Sequence, residues 1–118
     1  MRLSALFALL FCSLAVTAAE IDQRAALQLL QRPDTMLVDV RTAAEFADGA
    51  LPGAQRIETR DLPRHIGRLV PDKSTPIVVY CRSGRRSAAA REVLLKLGYQ
   101  QVINAGGYAR LVDVLGDD

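Results

Sequence analysis

The chain has 118 residues, with 15 Lys+Arg against 13 Asp+Glu, two Cys, one His and no Trp, and half of it is hydrophobic. That length allows one domain, and the apolar content excludes both a disordered acidic tail and a disulfide-stapled miniprotein. The net charge of +2 is spread along the chain with no basic run longer than Arg85-Arg86, so no nucleic-acid partner is expected. Two Cys and one His cannot supply four soft ligands without carboxylate help, and nothing in the sequence calls for a metal or another cofactor.

Residues 1–19 read as a secretory signal peptide. Arg2 provides the positive start, Leu3 to Val16 is almost unbroken apolar sequence, and the small residues Thr17-Ala18-Ala19 precede Glu20. Cleavage is expected after Ala18 or Ala19, and the apolar run falls short of the ~20 residues that span a bilayer, so no stable membrane anchor is expected once it is removed. Phe11 stands where a lipoprotein site needs a small residue before Cys12. The expected location is the periplasm, with secretion as the second choice. About 100 residues remain, from 20 to 118, as a single domain able to bury roughly 60–70% of its unfolded surface. Cys81 is then the lone thiol of an exported chain, which points to a reactive sulfur or an intermolecular pairing rather than to a buried small hydrophobe alone.

Helices and short apolar strands alternate along this domain. Asp22 caps a partly amphipathic helix through Ala26, Leu27, Leu29 and Leu30 that stops at Arg32-Pro33. Met36 to Val40 is a short apolar strand, Thr42 caps a brief helix closed by Asp48-Gly49, and Ala54 to Ile57 is a weaker strand. Asp61 to Val70 has helical spacing, with His65 an ordinary surface or half-buried residue on it. Thr75 to Tyr80 is a buried strand, Cys81 to Arg86 a polar turn and Ser87 to Leu97 a helix. Gln101 to Asn104 is another strand, Gly106-Gly107 turns the chain, and Tyr108 to Leu115 is a last amphipathic stretch. The alternation predicts an α/β fold, an open parallel sheet covered by helices on both faces.

Ligands of such sheets bind beyond the carboxyl ends of the strands, where Cys81 lies. The turn Cys81-Arg82-Ser83-Gly84-Arg85-Arg86 enters a helix whose first amides lack backbone partners, and Gly84 lets successive amides turn inward around the sulfur. The helix start and three arginines favour the thiolate. A free thiol with a pKa of about 8.5 is only a few per cent ionised at neutral pH, and a fall of two units, worth about 2.7 kcal/mol, makes the thiolate dominant without a base. Three arginines around one thiol repel one another unless an anion joins them. A thiolate in an oxyanion cradle fits sulfur transfer, phosphate-ester hydrolysis or arsenate reduction. Cysteine phosphatases use Cys-x5-Arg, whereas here the sixth residue after Cys81 is Ser87 and the arginine comes one step early, at Arg86. The smaller ring suits a single sulfur atom.

These residues resemble the rhodanese family, in particular its single-domain exported members of the phage-shock-protein E type. Leu37-Val38-Asp39-Val40-Arg41, Glu45-Phe46, Gly49 and Pro52-Gly53-Ala54 are similar to its amino-terminal signature, Val78 to Ser87 to its active-site loop, and Gly98-Tyr99 with Asn104 to Gly107 to its carboxyl-terminal signature. The resemblance implies a sheet of about five parallel strands and a thiosulfate sulfurtransferase that forms a persulfide on Cys81 and passes the sulfur to cyanide or a thiol. It implies that Arg82 and Arg86 bind the sulfonate, that the amides from Arg82 through Ser83, Gly84 and Arg85 to Ser87 stabilise the persulfide, and that Arg85 is a less certain contributor. Asp39, Arg41 and Glu45 are then mainly architectural, with Arg41 and Glu45 four apart and within salt-bridge reach if helical. The family's frequent Gly-His-Ile-Pro-Gly-Ala reads Gly49-Ala50-Leu51-Pro52-Gly53-Ala54 here, which removes a histidine and its hydrogen bond. The alternatives from other classes are a sulfur carrier or binding module with little turnover of its own, and a cysteine phosphatase or arsenate reductase.

Overall fold

The computed structural model describes residues 21–115, so the expected signal peptide over residues 1–19 lies outside the described residues. In chain order the elements are α1 (Gln23–Leu30), β1 (Met36–Asp39), α2 (Ala43–Asp48), β2 (Gln55–Arg56), a 3-10 turn (Thr59–Asp61), α3 (Leu62–Leu69), β3 (Ile77–Cys81), α4 (Arg85–Lys96), β4 (Val102–Gly107) and α5 (Tyr108–Leu115). The strands form one parallel sheet in the order β2-β1-β3-β4. Among the described residues it has four strands, against the five or so that the resemblance implies.

Alternation along the strands divides the core between two faces, as the two-residue period of a strand requires. Val38, Ile77, Val79 and Cys81 pack with Leu62 and Ile66 of α3 and Ala90 and Leu94 of α4. Leu37, Val78 and Tyr80 point the other way, onto Ala26 and Leu29 of α1 and Leu111 of α5. All five residues of β3 are buried, as expected of a central strand in a sheet covered on both sides.

The local signals explain most boundaries. Asp22 Oδ1 accepts from the Ala25 amide at 3.0 Å and starts α1. Thr42 and Glu45 form a reciprocal capping box at the start of α2. Strand β3 starts at Ile77 and takes in Cys81, against the expected Thr75 to Tyr80, and the boundaries of α4 and β4 also differ from expectation. Helix α4 begins at Arg85, two residues before Ser87, because Gly84 adopts the left-handed conformation with φ +99° and lets the chain enter the helix directly. Strand β4 runs through Gly106-Gly107 to pair with Tyr80 and Cys81, past an irregularity at which Val79 faces Asn104 but Tyr80 faces Gly106. Ala105 is therefore an extra residue, a bulge that keeps the strand in the sheet beyond the point where its glycines predict a turn.

Candidate active site

Cys81 ends β3, and the chain turns through Arg82 and Ser83 into α4. Gly84 is the cap residue of α4 and has no side chain to satisfy the first-turn amides. The cysteine sulfur takes that place. Sγ accepts from the Gly84 amide at 3.0 Å, the Ser87 amide at 3.4 Å and the Ser87 hydroxyl at 3.3 Å. Burial pushes the thiol up, and donation by the Ser87 hydroxyl and by the amides of Ser87, Gly84 and Ser83 outweighs it, so the pKa lies below the ordinary thiol value. Residue Cys81 is 0% exposed. Its sulfur is thus shielded from water at the border of an apolar cluster, with the hydrogen-bond donors of Gly84 and Ser87 directed at it.

The three arginines diverge. Arg86 lies in the first turn of α4, and its two terminal nitrogens donate to Glu45 Oε1 at 2.9 Å and Oε2 at 3.0 Å. Arg82 stands 79% exposed, with a terminal nitrogen 4.0 Å from the same carboxylate. Arg85 is exposed on the outer side of α4. Glu45 is itself fixed from its own helix, since Oε1 also accepts from the Thr42 amide at 2.9 Å. Donation by Arg86, and next by the Thr42 amide, holds its carboxyl at about 2.

The expected pairing of Arg41 with Glu45 does not form. Arg41 precedes α2 rather than lying on it, so the four-residue helical spacing does not apply. Its guanidinium turns back to the fully buried Asp39, with Arg41 Nη2 donating to Asp39 Oδ2 at 2.7 Å and Arg41 Nε to Asp39 Oδ1 at 3.0 Å, and also donates to the Gly49 carbonyl at 2.7 Å. It packs 4.3 Å from the ring centroid of Tyr108. Asp39 and Arg41 thus tie β1 to the segment after α2, while Glu45 reaches from α2 to Arg86 beside the cysteine loop. The segment lacking the family's histidine is held by the Leu51 amide, which donates to the Tyr80 hydroxyl at 3.0 Å. His65 is exposed on α3.

Asn104 supports the loop from β4. Its Oδ1 accepts from the Ser87 hydroxyl at 2.7 Å and from the Gly106 amide at 3.0 Å, while its Nδ2 donates to the Gly84 carbonyl at 3.1 Å. In the sequence Asn104 stands out only as part of the carboxyl-terminal signature; the signal that could have singled it out is a polar amide in an otherwise apolar strand. Gly107 matters for space, because a Cβ there would lie 2.5 Å from the Arg82 carbonyl oxygen. Two open cavities flank the loop and share Arg82. One, of about 660 Å³, adjoins Ile21, Ser83 and Arg110. The other, of about 460 Å³, is bounded by Arg41, Glu45, Asp48 and Tyr108.

Residues 22–113 match the Rhodanese-like domain family. The chain is 39% identical over 70 residues to the thiosulfate sulfurtransferase PspE of Escherichia coli (strain K12), which covers 59% of this chain and 67% of that protein. It is 38% identical over 89 residues to a sulfurtransferase of Allochromatium vinosum, covering 75% of this chain and 81% of the relative. A solved structure of rhodanese with anions from E. coli superposes with a TM-score of 0.60 at 37% identity, over 62% of this chain and 86% of that one. A parallel sheet with a cysteine at a strand's carboxyl end and hydrogen-bond donors about its sulfur is the arrangement of an α/β domain built around a single thiol. The chain belongs to the rhodanese-like family of sulfurtransferases.

Proposed function

We propose that the protein is a thiosulfate sulfurtransferase working through a Cys81 persulfide. The observation that carries this reading is the cysteine sulfur seated on the first turn of α4 and accepting from Gly84 and Ser87. The thiolate attacks the outer sulfur of thiosulfate. The sulfur–sulfur bond of the donor breaks, its electron pair leaves with sulfite, and the outer sulfur remains on Cys81 as a persulfide anion. Cyanide or a thiolate then attacks that sulfur, and Cys81 departs as the thiolate. Amides aimed at the sulfur stabilise negative charge at each stage without a proton donor. Arg82, the loop arginine that lines both cavities, is the cation that meets the sulfonate, and Arg86 supports it from its pairing with Glu45. The apolar leader ending in small residues supports export, with the periplasm as the place of action.

The arginine at Arg86, one position too early for a phosphatase loop and already bound by Glu45, disfavours phosphate-ester chemistry. The complete burial of Cys81 favours a second reading, a sulfur carrier loaded by a partner that opens the loop. Intact-mass measurement of the exported protein before and after thiosulfate decides between them. The expected result is loss of the leader and gain of one sulfur atom, with both the adduct and thiocyanate formation abolished in Cys81→Ser. Loading without turnover to cyanide or small thiols would favour the carrier, and an unchanged mass with an alkylatable Cys81 would reject sulfur transfer from thiosulfate.

A further inference from the structure

The geometry points to Glu45 as a specificity-determining residue that sets the charge of the sulfur donor, favouring donors with a single negative charge over dianions. This rests on sulfur transfer at Cys81. Arg86 is not available as a full positive charge, because both of its terminal nitrogens are engaged by the Glu45 carboxylate in a fork-on-fork pair. The same carboxylate stands 4.0 Å from the terminal nitrogen of Arg82. It cannot swing away freely, since the Thr42 amide and hydroxyl bind Oε1 at 2.9 and 3.1 Å. It also stays ionised through the neutral range, its carboxyl being held at about 2.

The cavity between α2 and the loop repeats this balance. Arg41 faces it with its charge already matched by Asp39, and Arg82 is accompanied there by Glu45 and Asp48. A dianion such as thiosulfate entering this space meets the exposed Arg82 guanidinium and the Asp48 carboxylate, while Glu45 cancels the charge that Arg86 would otherwise offer. A thiosulfonate, R–SO2–S⁻, presents the same outer sulfur and a similar sulfonyl oxygen pair with one charge less. Cys81 attacks its outer sulfur in the same manner, the sulfur–sulfur bond breaks, and the electron pair leaves on a sulfinate, R–SO2⁻. The response of the two donors to removal of the Glu45 charge therefore differs chiefly through the one charge that separates them.

The test compares thiosulfate with methanethiosulfonate as donors to the full mature protein, with persulfide formation followed by intact mass and the rate constants kcat/KM measured to cyanide. In Glu45→Gln the ratio of kcat/KM for thiosulfate to that for methanethiosulfonate is expected to rise about tenfold, the order expected from removing one charge a few ångström from the donor, and the rise is expected to shrink at high salt. A loss of Arg86 alignment alone lowers both donors, the dianion at least as much as the monoanion, and a fixed or fallen ratio therefore overturns the proposal. Should Glu45→Gln not fold, Asp48→Asn removes the other carboxylate of the cavity from an exposed helix end, with a smaller rise expected and an unchanged ratio overturning the proposal. Absence of a sulfur adduct from both donors in the unaltered protein would instead reject sulfur transfer itself.

Discussion

At the scale of single residues, the chemistry of Cys81 depends on which groups point at its sulfur, because burial alone would keep it a thiol. The Ser87 hydroxyl reaches it at 3.3 Å and is the foremost of the groups that lower its pKa. A net hydrogen bond is worth about 1 kcal/mol, so Ser87→Ala is expected to raise the Cys81 pKa. The pH profile of iodoacetamide alkylation checks this, and a midpoint that does not move upward would remove Ser87 from the thiolate's support. The sign for stability follows. A pKa lowered on folding adds stability above the unfolded thiol's value, and that contribution is lost as pH falls through the folded value. Asn104 acts at one remove, holding the Ser87 hydroxyl and the Gly84 carbonyl from the neighbouring strand.

Among elements, the join between β4 and the loop after β3 decides whether the sulfur's donors converge. The bulge at Ala105 brings Gly107 opposite Cys81, and the absence of a side chain there leaves room for the Arg82 carbonyl, which a Cβ would approach to 2.5 Å. That neighbour is backbone, so Gly107→Ala forces the loop itself to shift. Displacement of the loop by a fraction of an ångström to one ångström is expected to slow sulfur loading of Cys81 by on the order of a hundredfold with the far-ultraviolet circular dichroism unchanged. Loading at the native rate would show that the loop tolerates the intrusion. Helix α2 is the second element that matters, because its capping box and its pairing with Arg86 share one carboxylate.

For the whole molecule, the site depends on a sheet clamped between two helical layers. Leu94 of α4 is 0% exposed and packs in the same cluster as Cys81, Val79 and Ala90. Leu94→Ala is expected to remove about 2–5 kcal/mol of stability and to lower Tm by at least about 10 °C in a domain of this size. Sulfur loading is expected to persist below the lowered midpoint, since Leu94 makes no hydrogen bond in the cradle. Calorimetry and intact mass on the same sample check both parts, and a Tm within a few degrees of the parent would place the core's weight elsewhere.

Much of this arrangement was readable from residue order alone, because it depends on local rules: the unbroken apolar run from Ile77 to Tyr80, the Asp22 and Thr42 caps, the prolines that end helices, and a cysteine followed by a glycine turn into a helix. The alternation of elements was enough for a parallel sheet with both faces covered. Contacts between segments far apart in the chain were not readable. Glu45 and Arg86 are 41 residues apart, and no spacing rule predicts that Glu45 chooses that arginine over Arg41, four residues away. The preference follows from where β1 and β3 lie side by side, which sends Arg41 back to Asp39 and carries the start of α2 to the start of α4. The reach of β4 through Gly107 is similar, since two glycines spell a turn until an adjacent strand supplies partners for their backbone. Local chemistry thus pointed to the cysteine, and tertiary packing decided the charges around it.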